Sequence, residues 1–398
     1  MPLARAGTTA ALGVAQTLAW ASTYYLPAML AAPMAIDLGV STSTVFGAFS
    51  MALVVSACVG PAAGRAIDRH GGRPVLMISS LVFFAGLALL GSARSTAGMV
   101  AAWIVLGVGM GGGLYEAAFA ALVRLWGQDS RAAITGVTLL AGFASTVGWP
   151  LTSHLETTLG WRSTCFVWAA LHLCLGLPLN ALIAGVEKPL SAIGAPPMDV
   201  IAHVAASKPS RYTTALLAWV FAATLFISTA MAAHLPRLLQ AQGASLEGAV
   251  MVGALIGPAQ VAARLTEFGL MRHLHPLIAA RLAAALHPFG AILLGVLGAP
   301  AAAVFGLLHG AGNGILTIAK GTLPLSIFGA QGYGRRQGVL MIPARLAQAI
   351  APWSFGLALD ASGRGALAIS GAIGALAFAS LFALTPPAPE KSLRGIKP

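Results

Sequence analysis

Charge is scarce in this sequence. Of its 398 residues, 9% are Asp, Glu, Lys or Arg, against about 25% in a soluble globular domain. So few charges cannot cover the exterior of a water-soluble chain of this length, and the mean hydropathy of +0.84 agrees. Lipid is the solvent expected for most of the molecule, and no polar stretch is long enough to suggest a separate soluble domain. Cysteine is scarce too. Cys58, Cys165 and Cys174 sit in apolar runs without metal-ligand spacing, which argues against a disulfide framework and leaves them as small buried hydrophobes. Acidic residues number 11 against 23 basic ones, a net charge of +12. No basic run is interleaved with aromatics, so nucleic acid is not the expected partner. No catalytic triad, metal set or phosphate loop marks an enzyme, and no cofactor is implied.

Apolar length is what the sequence has in abundance. A spanning helix needs about 20 mostly apolar residues. Segments of that length fall at 8–35, 43–66, 75–93, 97–123, 132–154 and 161–185, then at 210–236, 246–269, 275–296, 299–325, 336–359 and 365–385. The N-terminal run continues through Pro27 and Pro33 with no clear small-residue cleavage site, so it reads as span 1 rather than a signal peptide. The predicted fold is all-α: twelve transmembrane helices in two six-helix bundles, residues 1–185 and 210–398. The segment 186–209, with Glu187, Lys188, Pro196, Pro197 and Asp199, reads as a cytoplasmic linker. With the N-terminus inside, the inner loops and tails hold fifteen Lys and Arg and the outer loops four. That bias places both termini in the cytoplasm of a cell whose inner membrane holds the chain.

The two halves repeat one another. Gly60-Pro61-Ala62 in span 2 recurs as Gly257-Pro258-Ala259 in span 8, and Pro33 matches Pro236. Gly136-Val137 and Pro150 match Gly338-Val339 and Pro352 at one offset. A shared order of such matches points to duplication, as in transporters built of parallel repeats with the solute site between the halves.

The most specific local pattern joins span 2 to span 3: Gly64-Arg65-Ala66-Ile67-Asp68-Arg69-His70-Gly71-Gly72-Arg73. It resembles the loop signature of the major facilitator superfamily, G-x-x-x-D-R-x-G-x-R. Gly64 permits close helix packing, Gly71 and Gly72 permit a tight turn, and Asp68 suits a neighbouring helix N-terminus. The resemblance implies that Gly64, Asp68, Arg69, Gly71 and Arg73 form a conformational loop clamping the halves together on the cytoplasmic side in the outward-open state. It also implies a monomer. Two positions depart from subfamily patterns. Trp103 stands four residues before Gly107, where many proton-coupled members have Arg. Span 5 reads Gly142, Gly148, Trp149, Pro150, where many drug antiporters have G-x-x-x-G-P. Both departures weaken a proton-driven multidrug efflux reading.

Ionisable groups at membrane depth are costly and mark candidate sites. Arg345 in span 11 is the first candidate for substrate contact, a guanidinium able to grip a carboxylate with its fork; a structural ion pair is the competing reading. Arg264 in span 8 follows Gln260 by four residues, a segment similar to that of monocarboxylate transporters, in which an Asp holds the place of Gln260. Its competing reading is a pair with Glu267. Glu116 and Lys320 occupy nearly matching places in the repeats and read as a gate, a fixed salt bridge or, for Glu116, a proton carrier. Trp20 and Tyr25 in span 1 and Asn313 in span 10 complete the candidate lining, with packing or local backbone bonding as the alternative. His309 is a candidate titrating group. Three cations against one carboxylate favour an anionic solute. The functional expectation is secondary transport of a small organic anion such as a monocarboxylate, with protons as a possible coupling ion. Efflux of a toxic or amphipathic compound is the alternative, and a non-transporting receptor is the alternative of another class.

Overall fold

The computed structural model describes residues 4–184, 211–271 and 273–384. The linker 186–209 and the tail after residue 384 lie outside the described residues. The first half contains α1 (Arg5–Ser22), α2 (Leu26–Leu38), α3 (Thr42–His70), α4 (Gly72–Ser92), α5 (Thr96–Gly113), α6 (Tyr115–Trp126), α7 (Arg131–Ala141), α8 (Ala144–Leu171) and α9 (Leu177–Ala181). The second contains α10 (Arg211–Ala241), α11 (Leu246–Thr266), α12 (Pro276–Leu297), α13 (Ala302–Phe328), α14 (Tyr333–Ser362) and α15 (Gly365–Ser380).

Among the described residues, eight helical runs are long and apolar enough to cross a membrane, and one of them, Thr96–Ala181, is 86 residues long. The turn Gly127–Ser130 and the kink at Gly160 divide that run into three passes, and Leu114 and the residues near Gly142 interrupt the first two from within. Two further passes, α1 with α2, and α14, agree with the twelve expected. Several passes read as continuous in the sequence are interrupted. Residues 23–25 separate α1 from α2, whose first turn holds Pro27, where a missing N–H costs no helical bond. Leu114 is extended after the glycine run that ends α5. Side chains such as Ile78, Ile292 and Val296 are exposed, as lipid-facing residues are.

The halves meet most closely where α3 runs along α14. A Cβ placed at Gly64 would overlap the Gly334 carbonyl, and one at Gly338 would come within 2.7 Å of the Gly60 backbone. The family-like pattern at 64–73 is therefore mostly helix: α3 continues through His70, and only Gly71, at φ 82, makes the turn. Gly72 already belongs to α4. The expected tight turn of two glycines is thus a turn of one.

Asp68 behaves as its position foretold. Its Oδ1 accepts the Gly334 N–H and its Oδ2 the Arg335 N–H, each at 2.9 Å. The residue preceding α14, Gly332, has no side chain to cap the helix. A carboxylate from the opposite half thus satisfies the first free N–H groups of α14 and faces the positive end of its dipole. At the same basic end, Arg131 of α7 pairs with Glu267 at 2.8 Å and donates to the Leu274 carbonyl at 2.6 Å. Glu267, on the π-turn Glu267–Met271 that follows α11, also accepts from the Thr135 hydroxyl at 3.3 Å. The expected alternative of an Arg264–Glu267 pair is not what forms. At the other end of the bundle the ion pairs stay within one half each: Arg162 with Asp37, and Arg237 with Asp360.

Candidate functional site

Arg345 lies ten residues beyond Arg335 on α14, about 15 Å along the axis at 1.5 Å per residue. Glu116 lies ten residues before the end of α6, at a similar depth. That is near the middle of a hydrocarbon core about 30 Å thick. There the two meet. Arg345 Nη2 donates to both Glu116 oxygens, at 3.0 and 2.9 Å, while its Nη1 donates to Gln348 Oε1 at 2.9 Å. Gln348 Nε2 donates to the Tyr24 hydroxyl at 2.7 Å. One chain of charged and polar groups therefore crosses from α6 through α14 to the break after α1. Arg345 is 4% exposed and Glu116 20%, so the carboxylate keeps some access to solvent.

Arg264 reaches the same region from α11, but it meets no carboxylate among the described residues. Its Nη1 donates to the Thr138 carbonyl at 3.1 Å, its Nε to the Gly314 carbonyl at 3.4 Å, and its Nη2 to Gln260 Oε1 at 3.4 Å. All three acceptors are neutral, and the side chain is buried. Tyr25, Tyr115 and Lys320 all lie within electrostatic reach of it. Lys320 also senses Glu116 and Arg345 but forms no ion pair among the described residues. The expected Glu116–Lys320 gate is therefore not a direct pair, because Arg345 holds the carboxylate. Trp20 packs on Tyr115 at 4.7 Å between centroids and on Tyr24 at 5.1 Å. Its indole Nε1 is buried without a hydrogen-bond partner, an unsatisfied donor beside the cluster.

The sequence matches the Major Facilitator Superfamily over residues 12–319. The chain belongs to that superfamily. Its fold is similar to that of the human organic anion transporter MFSD10 (TETRAN), 19% identical with a TM-score of 0.68 over 95% of this chain and 99% of that one. The proton:xylose symporter XylE bound to 6-bromo-6-deoxy-D-glucose is 14% identical, with a TM-score of 0.74 and 96% of each chain covered. FucP in the outward conformation is 14% identical, with a TM-score of 0.73 over 94% of this chain and 97% of that one. In sequence, the chain is 29% identical over 160 residues to multidrug resistance protein MdtL of Salmonella paratyphi C (strain RKS4594). The same protein of Salmonella choleraesuis (strain SC-B67) matches equally. Those matches cover 39% of this chain and 40% of each relative.

Within this superfamily member, the structure brings together Arg345, Glu116, Arg264, Lys320, Trp20 and Tyr25. It does not bring Asn313 to them. Asn313 lines a separate small cavity with Thr224, His287 and His309. Of the loop residues, Gly64 and Asp68 touch the second half, Gly71 makes the turn, and Arg69 and Arg73 are exposed. Three contributors escaped sequence reasoning. Gln348 had a signal, since it stands three residues after Arg345 on the same helix face. Tyr115 and the Thr138 carbonyl had none, because only tertiary packing brings them to the cluster. Gly142, noticed only as a departure from a drug-antiporter pattern, turns out to be the socket of Arg264: a Cβ there would overlap Arg264 Nη1. Gly142→Ala is accordingly expected to push the guanidinium off the Thr138 carbonyl and to weaken solute binding by about tenfold, the loss of one hydrogen bond to a charged group. Isothermal titration of the purified variant with its solute measures this, and unchanged affinity would remove Gly142 from the site.

Proposed function

We propose that this chain is a secondary transporter that carries a small organic anion, such as a monocarboxylate, across the inner membrane by alternating access. The observation that carries the proposal is the buried guanidinium of Arg264, whose hydrogen-bond partners are all neutral. Three cations, Arg264, Lys320 and Arg345, share the mid-membrane cluster with one carboxylate, Glu116. An excess of buried positive charge at that depth is costly until an anion enters. A carboxylate is the group that a guanidinium fork binds with two hydrogen bonds. Trp20 Nε1 offers a further donor, and the rings of Trp20, Tyr24 and Tyr115 offer an apolar wall for the body of the solute.

The excess of Lys and Arg in the loops at the Asp68 and Arg131 end supports a cytoplasmic side for those contacts and for both termini. With the halves joined there, the conformation supports an outward-open reading. Proton coupling through Glu116 requires that its carboxylate leave Arg345, and an arriving solute carboxylate competes for that guanidinium.

Counterflow in proteoliposomes tests the proposal. Preloaded monocarboxylate is expected to exchange with labelled external monocarboxylate, and Arg264→Gln to lower the rate by about 30-fold or more, the effect of truncating one partner of a buried charged contact. Absence of exchange with any organic anion, or exchange by Arg264→Gln at the wild-type rate, would sink it. The partial similarity to MdtL favours one second reading, efflux of a toxic compound. That reading expects an overexpressing strain to tolerate more drug while anion counterflow stays at background.

A further inference from the structure

Two histidines face each other inside the second half, away from the Arg264 and Arg345 cluster. His287 of α12 and His309 of α13 are 7% and 5% exposed, with Nδ1 to Nδ1 at 3.1 Å and ring centroids 5.1 Å apart. Phe305 stacks on His309 at 6.0 Å. His287 Nε2 is buried without a hydrogen-bond partner; the Ser370 backbone of α15 lies near this ring without reaching hydrogen-bond geometry. The rings border a cavity of about 30 Å³ that also meets the Thr224 hydroxyl of α10 and the Asn313 amide of α13. A water needs about 10–15 Å³ and a few polar partners; the cavity has that room, and His287, His309, Thr224 and Asn313 are the polar residues of its otherwise apolar lining. Asp, Glu, Lys and Arg are missing from its lining. The nearest cation on α12, Arg281, is turned to the Leu381 and Leu384 carbonyls.

We propose that His287 and His309 form a proton-binding site separate from the solute cluster, reached from the end of the bundle opposite the basic loops. The geometry dictates the chemistry. Only one hydrogen fits between two Nδ1 atoms, so in the neutral pair one ring donates Nδ1–H and carries a bare Nε2 lone pair. A proton delivered by hydronium binds that Nε2, and a water molecule departs. The donating ring becomes an imidazolium, and its bond to the neutral partner becomes charge-assisted and stronger. Loss of the proton to water reverses the step, and no other bond changes. Two imidazoles without a third His, Cys, Asp or Glu among the described residues do not make a metal site.

Depth and access fit this role. His309 lies seven residues into α13 and His287 ten residues before the end of α12, about 10 and 15 Å from the end of the bundle opposite the basic loops. A groove of about 860 Å³ opens at that end between α12 and α15, with Gln242 and Arg364 at its polar mouth, Pro288 and Gly371 towards the histidines, and Ile292 and Val296 along its lipid-facing flank. Its lining includes Pro288 and Ala375, the chain neighbours of His287 and Gly374 in the lining of the small cavity. A Cβ at Gly374 would press on the His287 ring at 3.1 Å, so α15 closes directly over the pair. Arg364, at the groove mouth, donates to the Ala241 carbonyl.

Histidine-selective nitrogen-15 NMR of the full-length protein in lipid nanodiscs tests the site without knowledge of the solute. The two rings are identified in the wild type by their through-space correlation and confirmed by the signals lost in His287→Gln and His309→Gln. The expected result is a joint titration of both rings within pH 4–8, taking up one proton per pair, and a displacement of the His287 titration by at least about one pH unit in His309→Gln, equivalent to about 1.4 kcal/mol. Rings that keep neutral shifts throughout, or that titrate independently, overturn the proposal. In proteoliposomes, either Gln variant is expected to lose pH-gradient-driven accumulation while keeping counterflow within about twofold of wild type, since exchange needs no net proton; accumulation equal to wild type overturns the proposal as well. If the wild type exchanges no anion at all, the anion reading fails while the NMR titration still decides the proton site.

Discussion

Arg345→Gln is expected to lower organic-anion counterflow by about 100-fold or more, a change of roughly 3 kcal/mol. Three observations set this size. The guanidinium is 4% exposed, its Nη2 serves both oxygens of Glu116, and its Nη1 holds Gln348, which in turn holds Tyr24. Truncating a buried hydrogen-bonded charged group costs binding about 2–5 kcal/mol, and the separate cost of leaving Glu116 uncompensated falls on the fold. The low end applies here, because Glu116 retains 20% exposure and water screens part of the loss. Arg345→Lys is expected to recover little, since an ammonium has no planar fork with which to hold both Glu116 and Gln348. A paired substitution separates structure from binding. Arg345→Gln with Glu116→Gln removes the orphaned carboxylate and is expected to return the thermal unfolding midpoint towards wild type while counterflow stays low. If the double variant regains both midpoint and flux, Arg345 serves only to neutralise Glu116, and the solute does not use it.

Much of this architecture was legible in the sequence, and the parts that were not share one physical cause. Apolar length announces a membrane pass because lipid permits no unpaired backbone, so the positions of the passes could be read directly. Interruptions could not. The break at Thr23, Tyr24 and Tyr25 and the extended Leu114 sit inside long apolar runs, and what tolerates the first of them is polar company from another helix, Gln348 at Tyr24. The cost of an intramembrane charge was equally legible, and it singled out Arg345, Arg264, Glu116 and Lys320. Their partners were not, because tertiary packing chooses them: Glu116 is 229 residues from Arg345, and Glu267, one turn from Arg264, is taken by Arg131 from the other half. Asp68 was the exception. A carboxylate beside a glycine-rich turn has few useful destinations, and a helix N-terminus is the one it found. The His287–His309 pair was half visible, since His309 stood out beside its glycines, while His287 looked like one more residue in an apolar pass.

Gly64→Leu is expected to abolish transport by preventing closure at the basic end, without unfolding the protein. The backbones of α3 and α14 touch there: a Cβ at Gly64 would overlap the Gly334 carbonyl, and one at Gly334 would come within 2.9 Å of Asp68 Oδ1. Both obstacles belong to backbone or to the capping carboxylate, so neither can swing aside. Overpacking of this kind costs about 1–3 kcal/mol. Separation of the helices also breaks the two Asp68 bonds to Gly334 and Arg335, each a charged-group hydrogen bond of about 1.5–3 kcal/mol. The sum of about 4 kcal/mol or more approaches the roughly 5.5 kcal/mol that carries a two-state equilibrium from 1:99 to 99:1. Each half keeps its own apolar core in either state, so the cost falls on the conformational equilibrium. The readout is a reporter cysteine at Gln337, a buried α14 position beneath the closure, with Cys58, Cys165 and Cys174 replaced by Ser. Labelling by a membrane-impermeant maleimide from the basic side is expected to be slow in the Gly64 background and faster by about 100-fold or more with Gly64→Leu, in keeping with the population shift. Equal labelling rates together with wild-type flux would mean that this glycine contact does not gate the basic end. Equal rates with lost flux would instead place the effect of Gly64 on local packing.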